Sequence, residues 1–132
     1  MTPVDTNVII DVLRAGPAWL PCSSRQLMLA RGAGPLGINP VVRAEPNVHE
    51  EAAHTVDAMP DDVGFAVLGS NRESARLAAA AFRQDRQRGG ARSGLLPDFF
   101  IGAQVLAPSW RLLTRDAARY RTCFPELELI FP

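Results

Sequence analysis

The sequence predicts an α/β sandwich with a central, mostly parallel sheet of four to five short strands. Three observations predict it. Short apolar runs alternate with longer stretches of helical periodicity, the pattern of strand–helix–strand units. The chain has 132 residues, 47% of them hydrophobic, which suits a single domain, residues 1–132, whose core needs no disulfide or metal staple. Asp5 and Asp116 follow strands and Asp98 falls in the first turn of a helix, the end of such a sheet at which ligands bind.

The elements follow in order. Thr2-Pro3-Val4-Asp5 reads as the first strand, although Pro3 cannot donate to a ladder. From Asn7 to Leu13, Val8, Ile9, Val12 and Leu13 recur at helical spacing. Pro17 marks the start of a second helix that runs through Trp19, Leu20, Leu27 and Met28 to about Ala30, bends at Pro21 and stops at Gly32 and Gly34. Leu36-Gly37-Ile38 is a second strand, and Pro40 opens the next helix, with Val41, Val42, Ala44 and Val48 as its apolar positions. Phe65-Ala66-Val67-Leu68 reads as a third strand. Ser70 and Glu73 make an S-x-x-E capping box ahead of the stripe Leu77, Ala78, Ala81 and Phe82, which ends at Gly89-Gly90. Pro97 opens a helix through Phe99, Phe100, Ile101, Val105 and Leu106, broken by Pro108. A strand over Arg111 to Thr114, a short helix from Asp116 to Arg121 and an edge strand over Leu127 to Phe131 complete the chain. Phe82, Phe99 and Phe100 keep helix spacing and read as core.

Composition removes several function classes. Lys plus Arg is 14 and Asp plus Glu is 14, so the chain is not the strongly basic nucleic-acid binder, though a local basic face is compatible with that balance. Every basic residue is arginine, which does not deprotonate in proteins, so chemistry that needs a lysine base or a GxxxxGK[ST] phosphate loop is excluded. A receiver-like phosphoryl acceptor needs a partner lysine and a pair of acids near the first strand, and the chain has neither. No apolar run approaches the roughly 18 residues of a membrane span, and no signal-peptide pattern is evident. Cys22 and Cys123 form no CxxC pair and read as reduced, partly buried thiols of a cytosolic protein. His49 and His54 are five apart, one too many for the two histidines of a zinc-protease helix, so the stretch reads as a solvated acidic face.

Four acids remain. Asp5 ends the first strand, Glu45 lies on the helix after the second, Asp98 sits in a helix's first turn behind Pro97, and Asp116 follows the fourth strand. Taken singly, each reads as a cap or turn residue. On a right-handed parallel sheet they converge at one edge. Carboxylates so packed require a counter-charge. With lysine absent and no histidine placed to ligate, an oxygen-only donor set selects a hard cation, Mg²⁺ or Mn²⁺. Such an ion acidifies water and polarises a phosphoryl oxygen, which suits phosphodiester hydrolysis.

The ordered motifs resemble a known family. Val4-Asp5-Thr6-Asn7-Val8-Ile9-Ile10-Asp11 is similar to the opening of a PIN domain, and Ile38-Asn39-Pro40-Val41-Val42 with Ala44-Glu45 to its second-acid helix. Leu96-Pro97-Asp98-Phe99-Phe100-Ile101-Gly102-Ala103 resembles the third-acid helix, and Leu112-Leu113-Thr114-Arg115-Asp116 with Arg119-Tyr120-Arg121 and Phe124-Pro125 the last motif. Together they resemble the VapC-type toxins of bacterial toxin–antitoxin (VapBC) pairs, over nearly the whole chain. The resemblance implies a PIN-like α/β/α sandwich and a cytoplasmic, magnesium-dependent endoribonuclease acting on structured RNA, often transfer RNA. It implies Asp5, Glu45, Asp98 and Asp116 as catalytic acids, with Asp5, Asp98 and Asp116 as metal ligands (Mn²⁺ substituting for Mg²⁺). Asn7 and Thr114 would orient those acids. A homodimer inhibited by a VapB-type antitoxin is implied as well. Three departures from the family pattern are Pro46 after Glu45, which biases Glu45 away from helical geometry, Gln104 where a histidine is common, and Pro3, which shortens or bends the first strand and would shift Asp5. The alternative reading is a catalytically impaired PIN relative that only binds antitoxin or RNA. Arg83, Arg86, Arg88 and Arg92 form one basic cluster, and Arg111, Arg115, Arg119 and Arg121 another. Solvated faces account for most of these, and Arg92 and Arg115 are the best placed to hold RNA phosphate beside the acids.

Overall fold

A computed structural model describes residues 1–49, 56, 64–89, 96–106 and 108–132. The elements formed among them are, in chain order, β1 Thr2–Pro3, α1 Thr6–Leu13, α2 Leu20–Ala33, β2 Leu36–Ile38, α3 Pro40–His49, β3 Phe65–Val67, α4 Arg72–Gln87, α5 Leu96–Leu106, β4 Arg111–Leu113, α6 Ala117–Cys123 and β5 Glu128–Ile130. Every strand pairing is parallel. Leu36 of β2 lies opposite Thr2 on one side and Phe65 on the other, and Leu112 of β4 lies opposite Leu129 of β5. The two ladders meet at a single bridge, Val4 against Leu113. The strand order is therefore β3-β2-β1-β4-β5, with the first strand in the centre.

Pro3 explains why that centre is thin. The amides of Thr2 and Val4 donate to Pro35 and Gly37, on the β2 side, at 2.9 Å each. Alternate amides of a strand point to opposite neighbours, so the N–H that Pro3 lacks is one that would face β4. The first donor able to reach β4 is the amide of Asp5, which bonds the Leu113 carbonyl at 2.9 Å. Val4, Leu36, Ile38, Leu112 and Leu113 are almost fully buried, as expected for central strands covered on both faces.

The helices pack in two groups, α1 with α2 and α3, and α4 with α5 and α6. In the second group Phe82, Phe99 and Phe124 form an aromatic row, with centroids 5.3 and 6.3 Å apart. Phe99 is buried, and Phe82 and Phe100 pack against the core. α4 closes at its C-cap Arg88, and the chain turns away at Gly89, whose φ of 81° is a conformation side chains resist.

Several expected boundaries move. α2 starts at Leu20 rather than Pro17, so Pro21 falls in its first turn, where a missing N–H costs nothing and makes no bend. Gly32 lies inside α2, which closes at Gly34. The capping box of α4 is Asn71 with Ser74, one residue beyond the expected Ser70 and Glu73. Ser70 is instead drawn to the Gln104 amide at 3.0 Å. Asp116 caps α6 from outside instead of beginning it. Cys22 is exposed rather than partly buried, and Cys123 is half-buried. No helix among the described residues is long and apolar enough to cross a membrane.

Candidate active site

Asp5 leaves β1 and precedes α1. Its backbone is extended, and its carbonyl accepts from the Val8 amide at 3.1 Å, which starts the helix. An aspartate here would ordinarily cap the helix with its side chain. This one makes no such bond. Its Oδ2 accepts from Asn7 Nδ2 and from Thr114 Oγ1, at 2.7 Å each. Thr114 Oγ1 in turn accepts from the Asp116 amide at 3.0 Å and from Asn7 Nδ2 at 3.3 Å. Asn7 Oδ1 accepts from the Arg115 amide at 3.0 Å. Asn7 and Thr114 thus lock the end of β1 to the end of β4 and fix the Asp5 carboxylate between them.

Three other acids face the same space. Asn39 precedes α3 and caps it, its Oδ1 accepting from the Val42 amide at 2.7 Å. The helix runs on through Pro46, and Glu45 is not displaced: its Oε2 accepts the Thr6 hydroxyl, across from α1. Asp98 is in the first turn of α5, where the helix dipole favours a carboxylate. Asp116 accepts from the Arg119 amide at 3.3 Å, so it serves as a helix cap while also lining the pocket. Asp5, Glu45, Asp98 and Asp116 all line one pocket of about 500 Å³, together with Arg14, Arg115, Arg119 and Tyr120. Gln104 is elsewhere. It accepts from Asn39 Nδ2 at 2.8 Å and belongs to a buried polar link beneath β3.

The electrostatics follow from this crowding. Burial, reinforced by the charges of Asp98 and Glu45, raises the Asp5 carboxyl to about 6 despite the hydrogen bond from Thr114. Burial also raises Asp98, and Glu45 and Asp116 add to the rise, while Arg119 opposes it. Arg119 Nη1 stands 2.6 Å from Asp98 Oδ2, a close charge contact without a well-directed hydrogen bond. The Tyr120 hydroxyl, pushed well above its ordinary range by burial and by Asp5 and Asp98, is buried beside Asp5 without a well-directed hydrogen bond.

No group of three or more His, Cys, Asp or Glu side chains among the described residues is arranged to hold a metal ion as it stands. The positive charge at Asp98 comes from Arg119 instead. The donor chemistry nonetheless fits a hard dication: the acids supply only oxygen, Asp5 is held up in pKa by burial and, to a lesser extent, by the charges of Asp98 and Glu45, and Asp98 Oδ2 and Tyr120 Oη lack directed partners.

Of the residues expected at the site, Asp5, Glu45, Asp98, Asp116, Asn7, Thr114 and Arg115 are brought together, and Arg92 lies outside the described residues. Residues 50–54 of the histidine-flanked stretch also lie outside them. Thr6, Arg14, Arg119 and Tyr120 had no assigned role. Arg119 and Tyr120 stand in the last motif, three and four residues after Asp116, a spacing that returns them to the face of the acid on a helix.

No protein-family model matches the sequence, and no curated protein matches it. Solved structures do. A chain of VapBC2 from Rickettsia felis, bound to a DNA fragment from its promoter, superposes with a TM-score of 0.72 at 15% identity, over 99% of this chain and 98% of that one. The fold is PIN-like. VapBC-1 from nontypeable Haemophilus influenzae has a TM-score of 0.68 at 14% identity, over 98% and 96% of the two chains. A toxin–antitoxin complex from Klebsiella pneumoniae has 0.66 at 21%, over 100% and 98%. The PIN-like fold bears out, in architecture, what the ordered motifs implied.

Proposed function

We propose that this chain is a magnesium-dependent endoribonuclease, the toxin of a toxin–antitoxin pair, which hydrolyses phosphodiester bonds in structured RNA such as transfer RNA. The observation that carries the reading is the meeting of Asp5, Glu45, Asp98 and Asp116 in one pocket, from four separate elements, with arginines on its rim. The fold shared with chains of VapBC complexes supports it, and so supports a VapB-type antitoxin as partner. A homodimer in the cytoplasm belongs to the same reading.

Asp5, Asp98 and Asp116 would hold the cation, with Glu45 beside them. When bound, Mg²⁺ or Mn²⁺ would neutralise the carboxylates, acidify water and polarise a phosphoryl oxygen. The chain's own part is positioning. Asn7 and Thr114 keep Asp5 from turning away, and Thr6 holds Glu45 toward it. Without a cation, Asp5 retains a proton up to about pH 6. Arg115, with Arg92, supplies donors to RNA phosphate.

The test is cleavage of total RNA by Asp5→Asn and Asp98→Asn, in Mg²⁺ and in EDTA. Each substitution should cost at least about 100-fold, as should chelation. Unchanged cleavage in either variant overturns the reading. The contact of Arg119 with Asp98 favours the alternative, an impaired relative that only binds antitoxin or RNA. Calorimetric titration with Mn²⁺ separates the two, since an impaired site takes up no cation.

A further inference from the structure

On the rim of the acid pocket one arginine is already aimed. Arg115 follows β4, and its amide is tied to Asn7 Oδ1 at 3.0 Å. Its Nε lies 3.3 Å from Asp11 Oδ2, and its guanidinium carbon lies 5.0 Å from the ring centroid of Trp19. Each support has a partner of its own. Asp11 is buried on α1 and takes the Ser23 hydroxyl from α2 at 2.7 Å. Trp19 is met at right angles by the Phe131 ring, 6.3 Å away. The side chain of Arg115 stays 32% exposed and lines the pocket.

The division of labour within the guanidinium matters. Asp11 stands against Nε as a close charge contact without a well-directed hydrogen bond, while the two Nη groups make no hydrogen bond or ion pair among the described residues. Asp11 also offsets much of the arginine's charge, so what remains is directional, a pair of donors rather than a diffuse field. Paired N–H donors match the two non-bridging oxygens of a phosphodiester. An arginine free in solvent loses rotamer freedom when it grips an anion, and one already stacked and ion-paired has lost it beforehand.

We propose that Asp11 and Trp19 are positioning residues that hold Arg115 as a preset clamp for a backbone phosphate of the RNA strand, beside the phosphodiester at the acids. This rests on the nuclease reading for the choice of RNA, but it can be tested without cleavage. The probe is a fluorescein-labelled RNA oligonucleotide, its binding followed by anisotropy in EDTA over a range of salt. Arg115→Gln should weaken binding about tenfold and reduce the salt slope by about 0.7. Trp19→Leu should weaken it about fivefold, Trp19→Phe should restore most of that, and Trp19→Leu should add almost nothing to Arg115→Gln. Asp11→Asn should likewise have no further effect once Arg115 is gone. Manganese affinity should be the same in Trp19→Leu as in the parent.

Binding by Arg115→Gln within about twofold of the parent, with an unchanged salt slope, overturns the clamp. So does a Trp19→Leu loss that persists in full without Arg115, because Trp19 then acts through the fold or by its own contact with RNA. A parent chain that does not bind RNA in EDTA overturns it as well. The two readings fail separately: Arg115-dependent binding without cleavage in Mg²⁺ sinks the nuclease and keeps the clamp, and cleavage whose KM ignores Arg115 does the reverse.

Discussion

The Thr114 hydroxyl serves three groups at once, donating to Asp5 and accepting from Asn7 and the Asp116 amide. It is fully buried, so its loss strands polar partners away from water. Thr114→Val should lower stability by about 1–3 kcal/mol in chemical denaturation, and Thr114→Ser should recover most of it. Asp5 sets the pH dependence. Its folded pKa of about 6 exceeds the 3.8 of an ordinary carboxyl, so the folded state binds the proton more tightly. The stabilisation is complete below about pH 4 and is lost as pH rises through about 6, roughly 3 kcal/mol in all. In EDTA the melting temperature should therefore fall across that window, and Asp5→Asn should flatten the fall and melt higher at pH 8. Asp98, also raised, acts in the same direction. Arg119 opposes any added cation at Asp98, by charge and by occupancy. Arg119→Gln should tighten Mn²⁺ binding about tenfold in calorimetry.

At the level of elements, Gly102 governs the approach of α5 to the end of α6. A Cβ placed there would stand 2.4 Å from Phe124 Cε2, and that ring is backed by Phe99. Gly102→Ala should cost about 1–3 kcal/mol in denaturation experiments and should weaken the Asp98–Arg119 contact, which spans the same two helices. The elements themselves were mostly legible, because the strand runs and the Leu77–Phe82 stripe carry clear periods. Capping was legible only to within one residue. Ser70 with Glu73 and Asn71 with Ser74 overlap as patterns, and the choice between them was made by Gln104, thirty-odd positions away, capturing Ser70. Pro17 misled for a related reason: two prolines four residues apart each suit a first turn, and only packing decides which one occupies it.

For the whole molecule, the convergence of Asp5, Asp98 and Asp116 on one pocket was legible in the sequence because strand ends and helix starts gather at one edge of a parallel sheet, while Glu45 reaches that pocket from the second turn of α3. What neutralises and frames them could not. Arg119 meets Asp98, and Trp19 meets Arg115, through contacts between distant stretches that no local pattern records. The thin joint between β1 and β4 runs directly beneath this assembly. Asp5 stands on one bank, Thr114 and Asp116 on the other; the backbone pairing between the banks is one bridge, and the side-chain bonds of Thr114 and Asn7 cross beside it. Breathing of the backbone there would spread the carboxylates, so a dication that draws them together must also close the sheet. Magnesium should slow hydrogen–deuterium exchange at the Asp5 amide far more than at the Ile38 amide, and equal protection at both would mean that the ion grips nothing across the gap.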